Sequence, residues 1–175
     1  GEQLTADAVV VALPHDAAAG VLPPGSFDAQ ADVAHLSRSP IINVHLEYDR
    51  RVLDLPFLAG VDSPVQFVFD RTDSSGVPAG HQAVAISLST ADPYLSAKPA
   101  ELVERFSAEL ARLLPAAASA RVVSSMVTRE VAATFRGVPG TARLRPGPLT
   151  NRAGPRANPG LLVATGTGSH DAIVV

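Results

Sequence analysis

Apolar and polar residues alternate in two different rhythms along this chain, and the change between them divides it. "ADAVVVALP" (6–14) is a short, unbroken, β-branched apolar run closed by Pro14. It predicts a strand buried on both faces. "HDAAAGVLPPGS" (15–26) has room for one short helix before its Pro-Pro-Gly break. From residue 39 the period becomes two. Ile42, Val44, Leu46 and Tyr48 share one face, and Ile41, Asn43, His45 and Glu47 share the other. That pattern predicts a half-buried antiparallel strand. "PVQFVFDRT" (64–72) places Val65, Phe67 and Phe69 on one side, and "HQAVAISLSTAD" (81–92) sets Val84, Ile86 and Leu88 against small residues. The three stretches predict a meander. Leu102, Phe106, Leu110 and Leu113 recur at helical spacing within 98–115. Pro99 suits the first turn, Pro115 the stop, and Glu101 and Arg105 an i,i+4 pair on the wet side. "RVVSSMVTRE" (121–130) reads as another strand, 136–159 as extended Pro/Gly/Arg-rich chain, and "LLVA" (161–164) as a last short buried strand. The first and last strands read as parallel and two-sided, the middle ones as antiparallel and one-sided. The expected class is therefore α+β, one chain contributing to two sheets.

Composition narrows the partners more than the chemistry. The formal charge of −3 gives no electrostatic reason to expect nucleic acid. The chain has no cysteine, which removes disulfide and thiolate chemistry. No apolar run approaches the roughly 20 residues of a membrane-spanning helix. The first residues, "GEQLTADAVVVALP", lack the basic start and cleavage site of a signal peptide. A cytoplasmic location is the expectation.

Candidate chemistry is sparse. "TGTGSHD" (165–171) offers Gly166 and Gly168 after a strand, but a dinucleotide fingerprint also needs a third glycine, a following helix and a later acidic residue. His15, His35, His45, His81 and His170 show no ligand spacing, so no metal site is expected. His45 falls on the polar face of its strand as a partly exposed residue. Ser169, His170 and Asp171 are adjacent and cannot face one another as a triad must. Ser87, Ser89, Ser124 and Ser125 have no nucleophile-elbow pattern around them. Asp70, Arg71 and Asp73 read as a polar turn, and Glu47 with Asp49 as a solvated strand end. Phe57, Phe67, Phe69 and Tyr48 would either line an apolar ligand pocket or fill a core, and core is the favoured reading for aromatic residues.

Longer segments carry a resemblance. "GEQLTADAVVVALPHDAAAGVLP", "SPIINVHLEYDRRVLDLPF", "SPVQFVFDRT" and "VTREVAATFRGVPGTARLRPGPLTN", followed by "PGLLVA", resemble the flavin-dependent amine oxidase and phytoene desaturase superfamily. The most similar branch is the squalene-associated desaturases, the hydroxysqualene dehydroxylases of hopanoid synthesis. The resemblance implies an antiparallel substrate-domain sheet with packed helices, plus remnant strands of a Rossmann-like FAD-binding domain. It assigns residues 1–26 to the FAD-binding domain, 27–135 to the substrate domain and 136–175 to the return, with 9–13 and 161–164 lying side by side. FAD is the implied cofactor, with Ala12, Leu13, Pro14 and Gly166 at the edge of its site. Phe67 and Phe69 are the implied lining for a squalene-type isoprenoid lipid.

The resemblance also implies a partner, the N-terminal half carrying the Gly-x-Gly-x-x-Gly loop, without which the chain would bind no FAD and be inactive. Peripheral contact with the inner membrane is a further expectation. After Ala164 the family pattern of a Gly-Asp-Trp-Thr-like turn is not kept; Thr165 and Gly166 stand where it would begin. That departure reads as a shifted frame or a decayed terminus. The alternative function is a non-enzymatic module binding an apolar ligand or a partner protein.

Overall fold

A computed structural model describes residues 10–11, 13–26, 32–145, 162–163 and 173–174. In chain order the elements are β1 (Val10–Val11), α1 (His15–Val21), β2 (Arg38–Tyr48), β3 (Phe57–Ala59), β4 (Phe67–Asp70), α2 (Thr72–Ser75), β5 (Gln82–Ser89), α3 (Pro99–Leu113), α4 (Pro115–Ser119), β6 (Val122–Phe135), β7 (Leu162–Val163) and β8 (Ile173–Val174). They divide into two units, residues 39–132 and residues 1–38 with 133–175. The class is α+β.

The unit of residues 39–132 is built on a five-stranded sheet in the order β3-β4-β5-β2-β6. Alternation dictates the phase of β2 as the sequence predicts. Ile42, Val44, Leu46 and Tyr48 are buried, and Ile41, Asn43, His45 and Glu47 are half-buried on the other face. Val84, Ile86 and Leu88 of β5 share the buried face with them. On α3, Leu102, Phe106 and Leu110 are at most 1 % exposed and join the same core, so the predicted helix phase is correct. Burying each such side chain contributes roughly 1.5–3 kcal/mol. Pro99 opens α3, and Lys98 N–H donates to Glu101 Oε2 at 3.0 Å, satisfying one donor at the helix start.

Four expectations change. The three main strands do not form a meander. β5 pairs with both β4 and β2, because a short hairpin, β3–β4, sits outside it. The loop of that hairpin closes tightly: a Cβ on Gly60 would lie 2.1 Å from the Val65 carbonyl oxygen, so only glycine fits. The phase of 64–70 also differs. Val65 and Val68 are buried, whereas Phe67 and Phe69 point the other way and are 43 % and 38 % exposed. Pro115 does not merely stop α3; α3 ends at Leu113 and Pro115 opens α4. Glu101 is occupied by the helix start, and the Arg105 guanidinium lies 5.1 Å from the Tyr94 ring centroid instead of pairing with it.

In the other unit, α1 begins where the Pro14 carbonyl accepts the Ala18 N–H at 2.8 Å. Ala18, Val33 and Leu36 form a small core, and His15 Nε2 lies 3.1 Å from the Leu36 carbonyl oxygen. An ion pair joins Asp16 to Arg38. β1, β8 and β7 form a three-stranded antiparallel sheet in that order. Of the segments 9–13 and 161–164 expected side by side, the described parts Val10–Val11 and Leu162–Val163 share a sheet and run in the same direction, but β8 lies between them. Only two residues of each strand are paired, so a single intervening strand, Ile173–Val174, suffices to separate them.

Tyr48 is a core residue, 1 % exposed, and its hydroxyl has no hydrogen-bond partner among the described residues. Burial pushes its pKa up to about 12. A buried hydroxyl without a partner costs stability that a same-shaped apolar ring avoids. Tyr48→Phe should therefore raise the unfolding free energy by about 1 kcal/mol in denaturant titration. A loss of that size would show that the hydroxyl is satisfied in solution.

Candidate functional site: the open face of the sheet

One face of the five-stranded sheet is covered by α3, and the other, among the described residues, is open at Phe57, Phe67 and Phe69. Cross-strand register assembles the open face in rows. Phe57 on β3 faces Phe69 on β4, Phe69 faces Ala85 on β5, and Ala85 faces His45 on β2. The next row runs Ala59, Phe67, Ser87, Asn43. In the third, the Arg71 N–H donates to the Ala83 carbonyl at 2.8 Å, and Ala83 faces Glu47. Side chains on one face repeat every second residue, so Phe67 and Phe69 follow one another along β4, and Arg71, just past its end, continues the row through its bond to Ala83. The result is a shallow track. Aromatic rings form one wall, Ala83, Ala85 and Ser87 form a low floor, and Asn43, His45 and Glu47 form a polar wall.

The rings make a continuous stack. Phe57 and Phe69 have centroids 6.2 Å apart, and Phe67 and Phe69 6.3 Å apart, with planes 28° and 27° from parallel. Phe57 is 56 % exposed. The core reading favoured for Phe57, Phe67 and Phe69 is thus overturned, while Tyr48 does lie in the core. Placing rings in a row on solvent is unfavourable for an isolated surface and marks an interaction site.

At its Arg71 end the track deepens into a groove of about 300 Å³, lined by His45, Glu47, Arg71, Val77, Ser124 and Met126 among others. The polar wall is internally arranged. Asn43 Nδ2 donates to Thr128 Oγ1 at 3.4 Å, and that oxygen lies 3.4 Å from His45 Nε2. A hydroxyl accepting from Asn43 can donate to a neutral imidazole. Burial and then the charge of Arg71 lower the His45 pKa from 6.5, favouring that neutral form. Glu47 is engaged elsewhere, its Oε1 lying 2.6 Å from His81 Nδ1. Asp49 pairs with Arg50 and Arg121, so the strand end read as solvated carries Glu47 and Asp49 each with its own basic partner.

Gln82 fixes the position of Arg71. Its buried amide makes four hydrogen bonds: Oε1 accepts from Val52 N–H at 2.7 Å and Leu53 N–H at 2.9 Å, and Nε2 donates to Leu53 O at 2.8 Å and Asp70 Oδ2 at 2.9 Å. Asp70 Oδ1 in turn accepts from the Thr72 N–H and hydroxyl. Burial pushes the Asp70 carboxyl up, but the Thr72 and Gln82 hydrogen bonds outweigh it and hold its pKa below 3.8. The polar turn expected at Asp70–Asp73 is thereby anchored to the core. Among the described residues no group of three or more His, Cys, Asp or Glu could hold a metal, and no helix is long and apolar enough to cross a membrane.

The family model for flavin-containing amine oxidoreductases matches residues 1–170. The chain belongs to that family. Two solved structures share the fold of this chain. They are reduced UDP-galactopyranose mutase, at 18% identity, and a protein from Exiguobacterium sp. 255-15 assigned as a protoporphyrinogen oxidase, at 10%. Each superposes with a TM-score of 0.55 over 75% of this chain. The chain spans 30% of the length of each. No curated protein matches it.

Flavin is the family's cofactor, and the described residues do not make a dinucleotide cradle by themselves. The long helix α3 has its start capped by its own Glu101. Leu13 and Pro14 are exposed ahead of the seven-residue α1, and Ala12 and Gly166 lie outside the described residues. Phe67 and Phe69 are brought together, in the other unit. The sequence reading missed the Arg71 groove. Its signal was the period of two continuing past Phe69, hidden by the turn-like composition "DRTD".

Two outcomes follow. Gln82→Leu leaves buried donors and acceptors at Val52, Leu53 and Asp70 without partners and should cost about 3 kcal/mol by chemical denaturation. For His45, the unfolded chain binds a proton below about pH 6.5 before the folded chain does. Stability is therefore present above that pH and lost as pH falls through the lowered folded value. His45→Gln should remove this component from the pH–stability curve, and parallel curves for the two proteins would contradict the shift.

Proposed function

We propose that residues 39–132 supply the substrate surface of a FAD-dependent oxidoreductase acting on a squalene-type isoprenoid, in a hopanoid- or carotenoid-type pathway. The observation that carries this reading is the exposed Phe57–Phe69–Phe67 stack over the small floor of Ala85 and Ser87. The hydrocarbon part of such a lipid offers no polar handle. Its recognition rests on extended apolar contact, and stacked rings beside small residues provide a flat wall and the room to lie against it. Family membership supports the flavin, and resemblance to the squalene-associated branch supports the isoprenoid.

In this reading the dinucleotide-binding loop comes from further polypeptide, and Ala12, Leu13, Pro14 and Gly166 border the flavin. Bound flavin would supply the hydride-accepting chemistry. The chain's own residues bind the hydrocarbon, orient it along β4 and exclude water from it. A cytoplasmic enzyme touching the membrane periphery would meet such a lipid directly.

Isothermal titration of the 175-residue chain with FAD should show no micromolar binding, because a few edge contacts do not offset the roughly 4–15 kcal/mol cost of association. A yellow protein surviving gel filtration would refute that division of labour. Partition of radiolabelled squalene from cyclodextrin onto the same chain tests the substrate surface. Replacing both Phe67 and Phe69 with serine should weaken binding at least tenfold without unfolding the chain, since both rings are exposed. Unchanged partition would remove the reading, and squalene binding without any response to added FAD-binding polypeptide would favour a non-enzymatic apolar-ligand module.

A further inference from the structure

We propose that the groove at Arg71 is the head-group end of the aromatic track, and that it takes the anionic head, phosphate or carboxylate, of a single-chain amphiphile. The proposal rests on the reading of the Phe57–Phe69–Phe67 face as an apolar-chain surface, and it adds the polarity and charge of the ligand's end.

Continuity comes first. Arg71 follows the end of β4 at Asp70, two residues beyond Phe69 and about 7 Å along an extended chain, and it lines the groove together with His45, Glu47 and Ala83, the residues that carry the open face there. The floor runs without a step from Ala85 to Ala83 on β5, and His45 borders both the Phe69 row and the groove. A chain lying against the rings therefore ends over the guanidinium.

Charge comes second. Arg71 is exposed and forms no ion pair among the described residues, although Asp70 precedes it and Asp73 lies two positions on. Both oxygens of Asp70 are occupied by Thr72 and Gln82. The one carboxylate lining the groove, Glu47, is in contact with His81. A guanidinium presents five donors in a planar fork suited to carboxylate and phosphate oxygens. Ser124 and Ser125 line the groove as further hydroxyl donors. Burial and then the charge of Arg71 lower the His45 pKa and favour its neutral form, which leaves the guanidinium as the cation at this end of the groove.

Rigidity comes third. The Arg71 N–H is bonded to the Ala83 carbonyl, and the turn beyond is tied through Asp70 to the buried Gln82 amide. The guanidinium is thus carried on a fixed backbone at the end of a sheet, which limits the ordering cost of ligand binding.

Calorimetric titration of the 175-residue chain with octyl phosphate, octanol and inorganic phosphate tests the assignment. Octyl phosphate should bind at least tenfold tighter than either of the others. Arg71→Gln should reduce octyl phosphate to the level of octanol and leave octanol unchanged, and Arg71→Lys, which keeps the charge without the fork, should fall between. Thermal melts of both variants should match the parent, because the side chain is exposed. Backbone amide shifts on binding should centre on Ala83, His45 and Ser124. Equal affinity for octyl phosphate and octanol overturns the head-group assignment and leaves the apolar face standing. Equal affinity for octyl phosphate and inorganic phosphate overturns the continuity of track and groove. Binding of neither alkyl compound overturns both this proposal and the apolar surface on which it rests.

Discussion

The buried amide of Gln82 holds the 39–132 unit in register. Gln82 is 1 % exposed, and both ends of its amide are satisfied twice. Two of the four bonds go to Leu53 and one to Val52, so the side chain acts as a strand partner for a segment that has none. The fourth reaches Asp70 at the end of β4. A single side chain therefore sets the path of the chain leaving β2, the end of β4 and the turn bearing Arg71. No other residue type fills this role. Glutamate lacks the Nε2 donors and would face the Asp70 carboxylate, and an apolar isostere satisfies none of the partners. The open face depends on this clamp although Gln82 is not part of that face.

From the clamp outward, the two faces of the sheet obey different constraints. The face toward α3 is fixed by close packing, because Ile42, Val44, Leu46, Val84, Ile86 and Leu88 must interdigitate with Leu102, Phe106 and Leu110. The open face carries no such obligation. Its composition, with three exposed phenylalanines, small residues and a hydrogen-bonded Asn43–Thr128–His45 group, has no account in terms of folding. Exposed rings add nothing to core packing, and the His45 shift works against stability at low pH. Features that folding does not require are where binding chemistry is to be sought.

Much of the packed face was legible in the sequence because packing imposes its period directly. The alternation of β2 and β5 and the fourfold spacing along α3 were read with the correct phase. The open face was not legible to the same degree, for identifiable reasons. Val65 and Phe67 were placed together by strict alternation, but Val65 precedes β4, in the hairpin loop that the Gly60 N–H closes by donating to the Gln66 carbonyl at 3.0 Å. Alternation holds only within β4, where Val68 is buried and Phe67 and Phe69 are exposed. The preference of aromatic residues for cores then reinforced the wrong phase. The strand order was hidden by β3, three residues between Pro56 and Gly60, too short to leave a period. Glu101 and Arg105 had better partners than each other, a capping position and an aromatic ring, which spacing alone does not reveal.

The comparison with solved structures bears on the same asymmetry. At 18% and 10% identity the two structures keep a fold that superposes at a TM-score of 0.55. Identity this low leaves the hydrophobic pattern as the means by which sequence specifies the fold, and that pattern is a property of the packed face. A sheet whose fold is secured from one side can change the chemistry of the other without refolding. In this chain the packed side ends in Gln82 and the open side begins at Arg71, with Asp70 bonded to one and adjacent to the other. Chemistry on the open face is thus free to differ while its geometry stays tied to the core, through the shared strands, the Arg71–Ala83 backbone bond and the Asp70 carboxylate.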